Sequence, residues 1–411
     1  MIKTAQGPAG RYRELGRNPA LDGYRGLAVL LVVCDHAHIP MGAPSVGVDL
    51  FFVLSGFLIT SLLAKEHDQT GRISLRRFYR RRARRILPGL FLLTVGVVAV
   101  SLSIHQLQDR WPLWWQVATT WTFTSNATVW LAKAPIGAFT ATWSLACEEQ
   151  FYLLWPLVLL LAFRRHRSPR RIVGWLGAAV LLLVGGAWYA TVHVPASEPF
   201  FSPIGRAAEL MLGCALALAW RHRLLPRWIE SRATGPLALA AGTALMIAPL
   251  YRPSLGAETI YEGAALAGAL ILLGLLTHPD SVMFRCFSFA PLRYTGKISY
   301  GLYLDNDAVS RLLHHNLPGR PWTQIAPLLA VGAFACAVPS YHLVEARFLR
   351  QKPAAPRSAI VAATEAAESS AAVEPSEGVV VETADAAEIA APAPAAAPAA
   401  APGEGGLLPA S

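Results

Sequence analysis

Ten apolar runs frame this chain of 411 residues, and the cations between them fall on alternate connections. The runs cover roughly 23–41, 46–64, 88–105, 145–163, 172–192, 203–220, 235–251, 260–277, 296–314 and 324–346. Most approach the twenty or so apolar residues that a membrane-spanning helix needs. Lys and Arg number 29 in the N-terminal segment, in every second connection (with Lys297 at the edge of the ninth run counted) and after the last run, against 4 in the connections between. Short cytoplasmic loops of membrane proteins carry such an excess. The pattern predicts an all-α polytopic membrane protein of about ten transmembrane helices, with both termini cytoplasmic. Residues 111–132 are Trp- and Thr-rich and only half apolar. They are expected to lie at the interface or re-enter, because a full crossing there would swap the side of every later loop.

Composition agrees with a membrane reading. Hydrophobic residues make up 54% and charged residues 15%, where a soluble domain carries about 25% charged. The net charge of +10 sits in short loops between apolar runs, so no nucleic-acid partner is expected. Five scattered cysteines without a CxxC spacing read as small core residues, and no metal site or disulfide framework is expected. No cleavable signal peptide is expected, since Asp35 and His36 interrupt the first run. The expected organisation is a cytoplasmic segment at 1–20, a transmembrane domain at 21–350 and a disordered Ala/Pro/Glu-rich cytoplasmic tail at 351–411.

Polar residues inside the apolar runs mark the candidate site, because ionisable groups at membrane depth usually face a bundle interior or cavity. Arg25 and His36 are eleven residues apart, close to three helical turns, and so share a helix face. Arg25 alone equally suits a side chain that snorkels to headgroups. Asp49 begins the second run after a short loop. It is either the carboxylate that orients His36 for base catalysis or a solvated interfacial acid. Arg82 and Arg85 close an arginine-rich loop at i,i+3, a spacing that points both forks the same way and suits phosphate. The same loop is also a topology anchor attracted to anionic lipid. Glu148 and Glu149 open the fourth run, expected at its outer edge, where one engages an acceptor hydroxyl. Arg206 and Glu209 form an i,i+3 pair that is structural or catalytic, and Asp305 and Asp307 imply a polar cavity in the ninth run.

Together these segments resemble the membrane acyltransferase-3 family. The matching pieces are Leu21-Asp22-Gly23 with Arg25 and His36, Gly47-Val48-Asp49 through Gly56-Phe57, Arg81-Arg82-Ala83-Arg84-Arg85-Ile86-Leu87-Pro88, Trp143-Ser144-Leu145 with Glu148-Glu149-Gln150-Phe151-Tyr152, and Ile298-Ser299-Tyr300-Gly301-Leu302-Tyr303-Leu304. The resemblance implies a bacterial plasma-membrane enzyme of about ten helices. It would move an acetyl or similar acyl group from cytoplasmic acyl-CoA to a hydroxyl of a carbohydrate, glycolipid or glycosylated secondary metabolite. It further implies His36 as the essential histidine, Arg25 as its motif partner, Arg82 and Arg85 on the CoA phosphates, and Glu148 or Glu149 as the essential glutamate. Acyl-CoA would be a co-substrate, with no permanently bound cofactor. A stand-alone form without an extracellular hydrolase-like domain is expected. The sequence departs from the family where Asp305-Asn306 stands in place of Trp-His, and where the Pro two residues after Glu345 is missing. A transporter or flippase using the same polar cavity is the alternative, and an inactive scaffold a third reading.

Overall fold

The computed structural model describes residues 13, 15–16, 18–41, 46–104, 112–132, 136–165, 168–193, 203–251 and 257–349. No strand occurs among the described residues. Most of the expected N-terminal segment and all of the expected tail lie outside them.

Helix α1 (Pro19–His36) starts where physics favours a start. The Asn18 side chain caps the amide of Ala20, and Pro19 occupies the first helical position, where its missing N–H costs nothing. The chain continues through α2 (Val46–Thr70), α3 (Leu75–Ile104), α4 (Leu113–Trp121), α5 (Ser125–Ala132), α6 (Thr142–Arg165), α7 (Pro169–His193) and α8 (Pro203–Arg221). Then follow α9 (Thr234–Tyr251), α10 (Ala257–Thr277), α11 (Val282–Phe287), α12 (Ala290–Lys297), α13 (Ser299–Asn316), α14 (Trp322–Pro339) and α15 (Ala346–Leu349).

Each expected run falls on a helix: α1, α2, α3, α6, α7, α8, α9, α10, α13 and α14. Among the described residues, seven stretches are long and apolar enough to cross a membrane, namely α2, α3, α6, α7, α9, α10 and the run Trp322–Leu349. Helices α1, α8 and α13 fall outside that group, and each carries three charged side chains. Helix α3 begins at Leu75 rather than at the expected residue 88, so the arginines form its first turns. Arginine is a good helix former, and hydropathy sees only the apolar remainder. The segment around 111–132 folds as α4 and α5, of 9 and 8 residues. At 1.5 Å per residue each reaches about 14 Å or less, far short of a bilayer. Reciprocal amide bonds between Asn126 and Gln150, at 3.2 and 3.0 Å, pin α5 to α6.

Helix α2 sits at the centre, with 78% of its most apolar window buried, whereas α7 and α9 bury 11% each. Helices α2 and α8 meet through glycines. A β-carbon at Gly56 would lie 2.0 Å from the Leu210 carbonyl oxygen, and one at Gly213 would lie 2.0 Å from that of Val53. Small residues that let backbones approach are the usual device of helix packing in lipid. Helices α1 and α12 use the same device at Gly26 and Gly296.

Candidate active site

A cavity opens between α1, α2, α3, α6 and α13. Its polar wall holds Arg25, Ser55, Arg82, Arg85, Ser144, Glu148, Ser299, Tyr300 and Tyr303. Leu54, Leu58, Leu62 and Ile59 of α2 form much of the apolar wall. Polar groups of this number at membrane depth satisfy one another or await a ligand.

The two loop arginines have different surroundings. Arg82 donates from Nε to Glu149 Oε1 at 2.7 Å and from Nη2 to Glu148 Oε2 at 3.1 Å. It also lies over the Tyr152 ring, 4.1 Å from the centroid. The Ser55 hydroxyl donates to the other oxygen of Glu148 at 2.8 Å. Among the described residues neither Arg25 nor Arg85 has an ion pair; Arg25 donates to the Ser299 hydroxyl at 2.9 Å. The wall thus presents two cations without a described carboxylate in ion-pair contact, though Glu148 and Glu345 act on both at longer range, and one that is ion-paired.

His36 ends α1. Its Nδ1 is hydrogen-bonded to Asn306 Oδ1, and its Nε2 lies 3.9 Å from Asp307 Oδ1. The Ser310 hydroxyl donates to the His36 carbonyl at 2.7 Å, so α13 holds both the ring and the backbone. Asp307 Oδ2 accepts from Arg311 Nε at 3.2 Å and from the Ala141 amide at 3.4 Å. Tyr303, on the cavity wall, precedes Asn306 by three residues and shares its helix face. Its hydroxyl donates to the Ala141 carbonyl at 3.0 Å, so it accepts from the Ser144 hydroxyl to which it is bonded. Helix α13 therefore links the arginine-lined cavity to His36.

Two expected placements change. Asp49 does not orient His36. It is fully buried, and its Oδ1 accepts from Arg206 Nη1 at 2.8 Å, while the same nitrogen meets Glu209 Oε1 at 2.5 Å. The glycine contact between α2 and α8 brings Arg206 onto Asp49 across 157 residues of sequence. Glu148 and Glu149 are not a separate outer site. They join Arg82, which donates to both carboxylates and so ties α6 to α3.

Asn306, Ser55, Ser144 and Tyr303 had no role assigned from sequence, although the last three lie inside matching segments named above and Asn306 at the departure that follows one. The signal for Asn306 was present: a polar amide beside two acids in an apolar run. Asp305, its neighbour, faces a second, largely aliphatic cavity between α3, α13 and α14.

This cavity, linked to His36 through α13, is accompanied by a match of residues 18–342 to the acyltransferase-3 sequence family, described as an acyltransferase domain. The chain belongs to that family of acyltransferases. Among curated relatives it is similar to the peptidoglycan O-acetyltransferase OatA of Listeria monocytogenes, 31% identical over 304 residues, covering 70% of this chain and 48% of that one. It is also similar to the O-acetyltransferase OatA of Staphylococcus aureus, 31% identical over 301 residues, covering 70% of this chain and 49% of that one. The chain thus spans about half the length of the curated relatives it matches. No solved structure matches it.

Proposed function

We propose that this chain is a bacterial plasma-membrane O-acetyltransferase that takes an acetyl group from cytoplasmic acetyl-CoA and passes it to a hydroxyl of a cell-wall glycan. The observation that carries the proposal is the pairing of two cavity arginines without a direct ion pair, Arg25 and Arg85, with a histidine on the same helix as Arg25 that α13 holds. Arginine forks bind phosphate oxygens in pairs. With the CoA phosphates at Arg25 and Arg85, the flexible thioester arm runs along the cavity toward Ser144, Tyr303 and His36. Arg25 and His36 are separated by about 16 Å along α1 at 1.5 Å per residue.

At the reacting end, Nε2 of His36 takes the proton of the acceptor hydroxyl. The acceptor oxygen forms a bond to the thioester carbonyl carbon, the C–S bond breaks, and CoA leaves as the thiol after taking a proton from the imidazolium. In the two-step form, Nε2 itself bonds to the thioester carbonyl carbon and the C–S bond breaks to release CoA thiolate; the acceptor hydroxyl then takes the acetyl group from Nε2, and its proton goes to the thiolate. Asp307 supports the imidazolium. Arg82 joins phosphate binding when the donor anion competes with Glu148 and Glu149 for its fork. The names of the relatives support an acceptor of the peptidoglycan type, and the alternating loop charges support ten spans with cytoplasmic termini.

Incubating the purified full chain in liposomes with radiolabelled acetyl-CoA and muropeptide glycans tests this reading. CoA release and labelled glycan that depend on His36 are expected. A glycan that crosses the bilayer unlabelled, with no CoA released, would establish the transporter alternative instead. Label trapped on His36 before the glycan is added identifies the two-step form.

A further inference from the structure

We infer that Asn306 is a positioning residue that fixes the tautomer of His36, placing the ring proton on Nδ1 and the reactive lone pair on Nε2. The inference rests on the proposed role of His36 but assigns something that role leaves open, namely which nitrogen reacts.

The Asn306 side chain is fully buried, and its amide has one allowed orientation. Its Nδ2 lies 2.8 Å from the Leu302 carbonyl oxygen and 2.7 Å from that of Tyr303. Both carbonyls only accept, so the NH2 group must face them, and both of its hydrogens are used. The flipped amide would set Oδ1 against two carbonyl oxygens at the same distances. The carbonyl end of the side chain, Oδ1, therefore faces His36 Nδ1, and it too can only accept. The nitrogen opposite must carry the hydrogen. A neutral imidazole has one N–H, so Nε2 is left with its lone pair.

Asn306 does this without charge. A carboxylate at Nδ1 would also hold the proton there, yet in this chain the carboxylate is on the other side of the ring. Asp307 Oδ1 stands 3.9 Å from Nε2, beyond hydrogen-bond reach and within ion-pair reach. Two neighbouring residues of one helix thus divide the task. Asn306 sets the tautomer of the neutral ring, and Asp307 meets the charge that appears when Nε2 takes a proton. Asp307 is itself held by Arg311 and the Ala141 amide, so it stays in place as the ring cycles.

The test uses the full chain labelled with nitrogen-15 at histidine, with the His36 signals assigned by their loss in His36→Ala, at a pH where imidazole is neutral. The wild type is expected to show a protonated Nδ1 and an unprotonated Nε2 at His36. A proton on Nε2 would overturn the inference whatever the activity, and this needs no Asn306 variant to fold. Asn306→Leu keeps the volume and removes the acceptor. It should give a mixture of tautomers and lower kcat by about tenfold to a hundredfold, with KM for acetyl-CoA within about twofold because no donor contact is touched. Asn306→Asp should recover the single tautomer only with its carboxyl protonated, when one oxygen accepts from Nδ1 and the other donates to the Leu302 or Tyr303 carbonyl. If Asn306→Leu loses the tautomer but keeps its rate, Asn306 is not a positioning residue. His36→Ala separates the two proposals: full activity in that variant overturns the role of His36 while leaving the tautomer measurement standing.

Discussion

Arg82 and Glu149 share a 2.7 Å hydrogen bond that ties the first turns of α3 to the first turns of α6 across the cavity. Glu148 joins through its second oxygen, and Ser55 of α2 holds the first. Three helices therefore meet at one guanidinium. A double-mutant cycle of Arg82→Gln and Glu149→Gln, read by thermal unfolding in detergent, should give a coupling energy of about 0.5–3 kcal/mol. Additive effects would mean that the pair contributes nothing as a pair.

Arg25 and Arg85 should behave differently from Arg82. Arg25→Gln and Arg85→Gln are each expected to raise KM for acetyl-CoA by about tenfold to a hundredfold, the range for losing a hydrogen bond to a charged group, with kcat changed much less. Neither should lower the unfolding temperature appreciably, since no ion pair is broken. Steady-state kinetics over donor concentration decides this, and an unchanged KM in both variants would remove them from the donor site.

His36→Ala should lower acetyl transfer by about a hundredfold to ten-thousandfold, the span of a general base. Its unfolding temperature should stay near that of the wild type, because the ring is partly exposed and its partners Asn306 and Asp307 keep their bonds to α13 and to the Ala141 amide just before α6. CoA release measured on protein of matched quantity and fold reads the effect directly.

The Asp49–Arg206–Glu209 cluster should prove structural. Arg206→Ala leaves two buried carboxylates facing each other and should cost about 3–5 kcal/mol, read as loss of folded protein on size exclusion. Asp49→Asn keeps shape and a hydrogen-bond acceptor. It should lower the unfolding temperature, while the protein that remains folded transfers acetyl at close to the normal rate. A kcat collapse in well-folded Asp49→Asn would return Asp49 to the chemistry.

Gly56→Ala tests the close approach of α2 and α8. Its β-carbon would stand 2.0 Å from a backbone carbonyl oxygen that has nowhere to go. Poor expression or early unfolding is expected, whereas Gly96→Ala, with nothing within 4 Å, should be silent.

The helical segments were legible because apolar length and loop charge are local properties of a sequence. Residues 111–132 were kept from being a span by the same charge count, and they fold as two short helices. What escaped was pairing between distant segments. Asp49 lies close to His36 in sequence, and proximity made it the natural orienter. Nothing local announces that Arg206 would reach it through a glycine-lined contact. Asn306 escaped for the opposite reason: it stood out as a departure from a familiar pattern, so its own chemistry was passed over. The hydrogen bonds that define its task run to its own helix backbone and to α1, and only the fold displays them.

The three polar helices also bear on how the chain is made. Helices α1, α8 and α13 each carry three charged side chains, so under the ten-span reading each would enter lipid readily only beside a helix that answers its charges. For α8 that helix is α2, whose Asp49 precedes Arg206 by 157 residues. At about 5–20 residues per second, translation separates the two by about 8–30 s. Under that reading α2 would wait near the insertion machinery through that interval with a carboxylate unmatched, which would make release of the early helices a timed step in biogenesis.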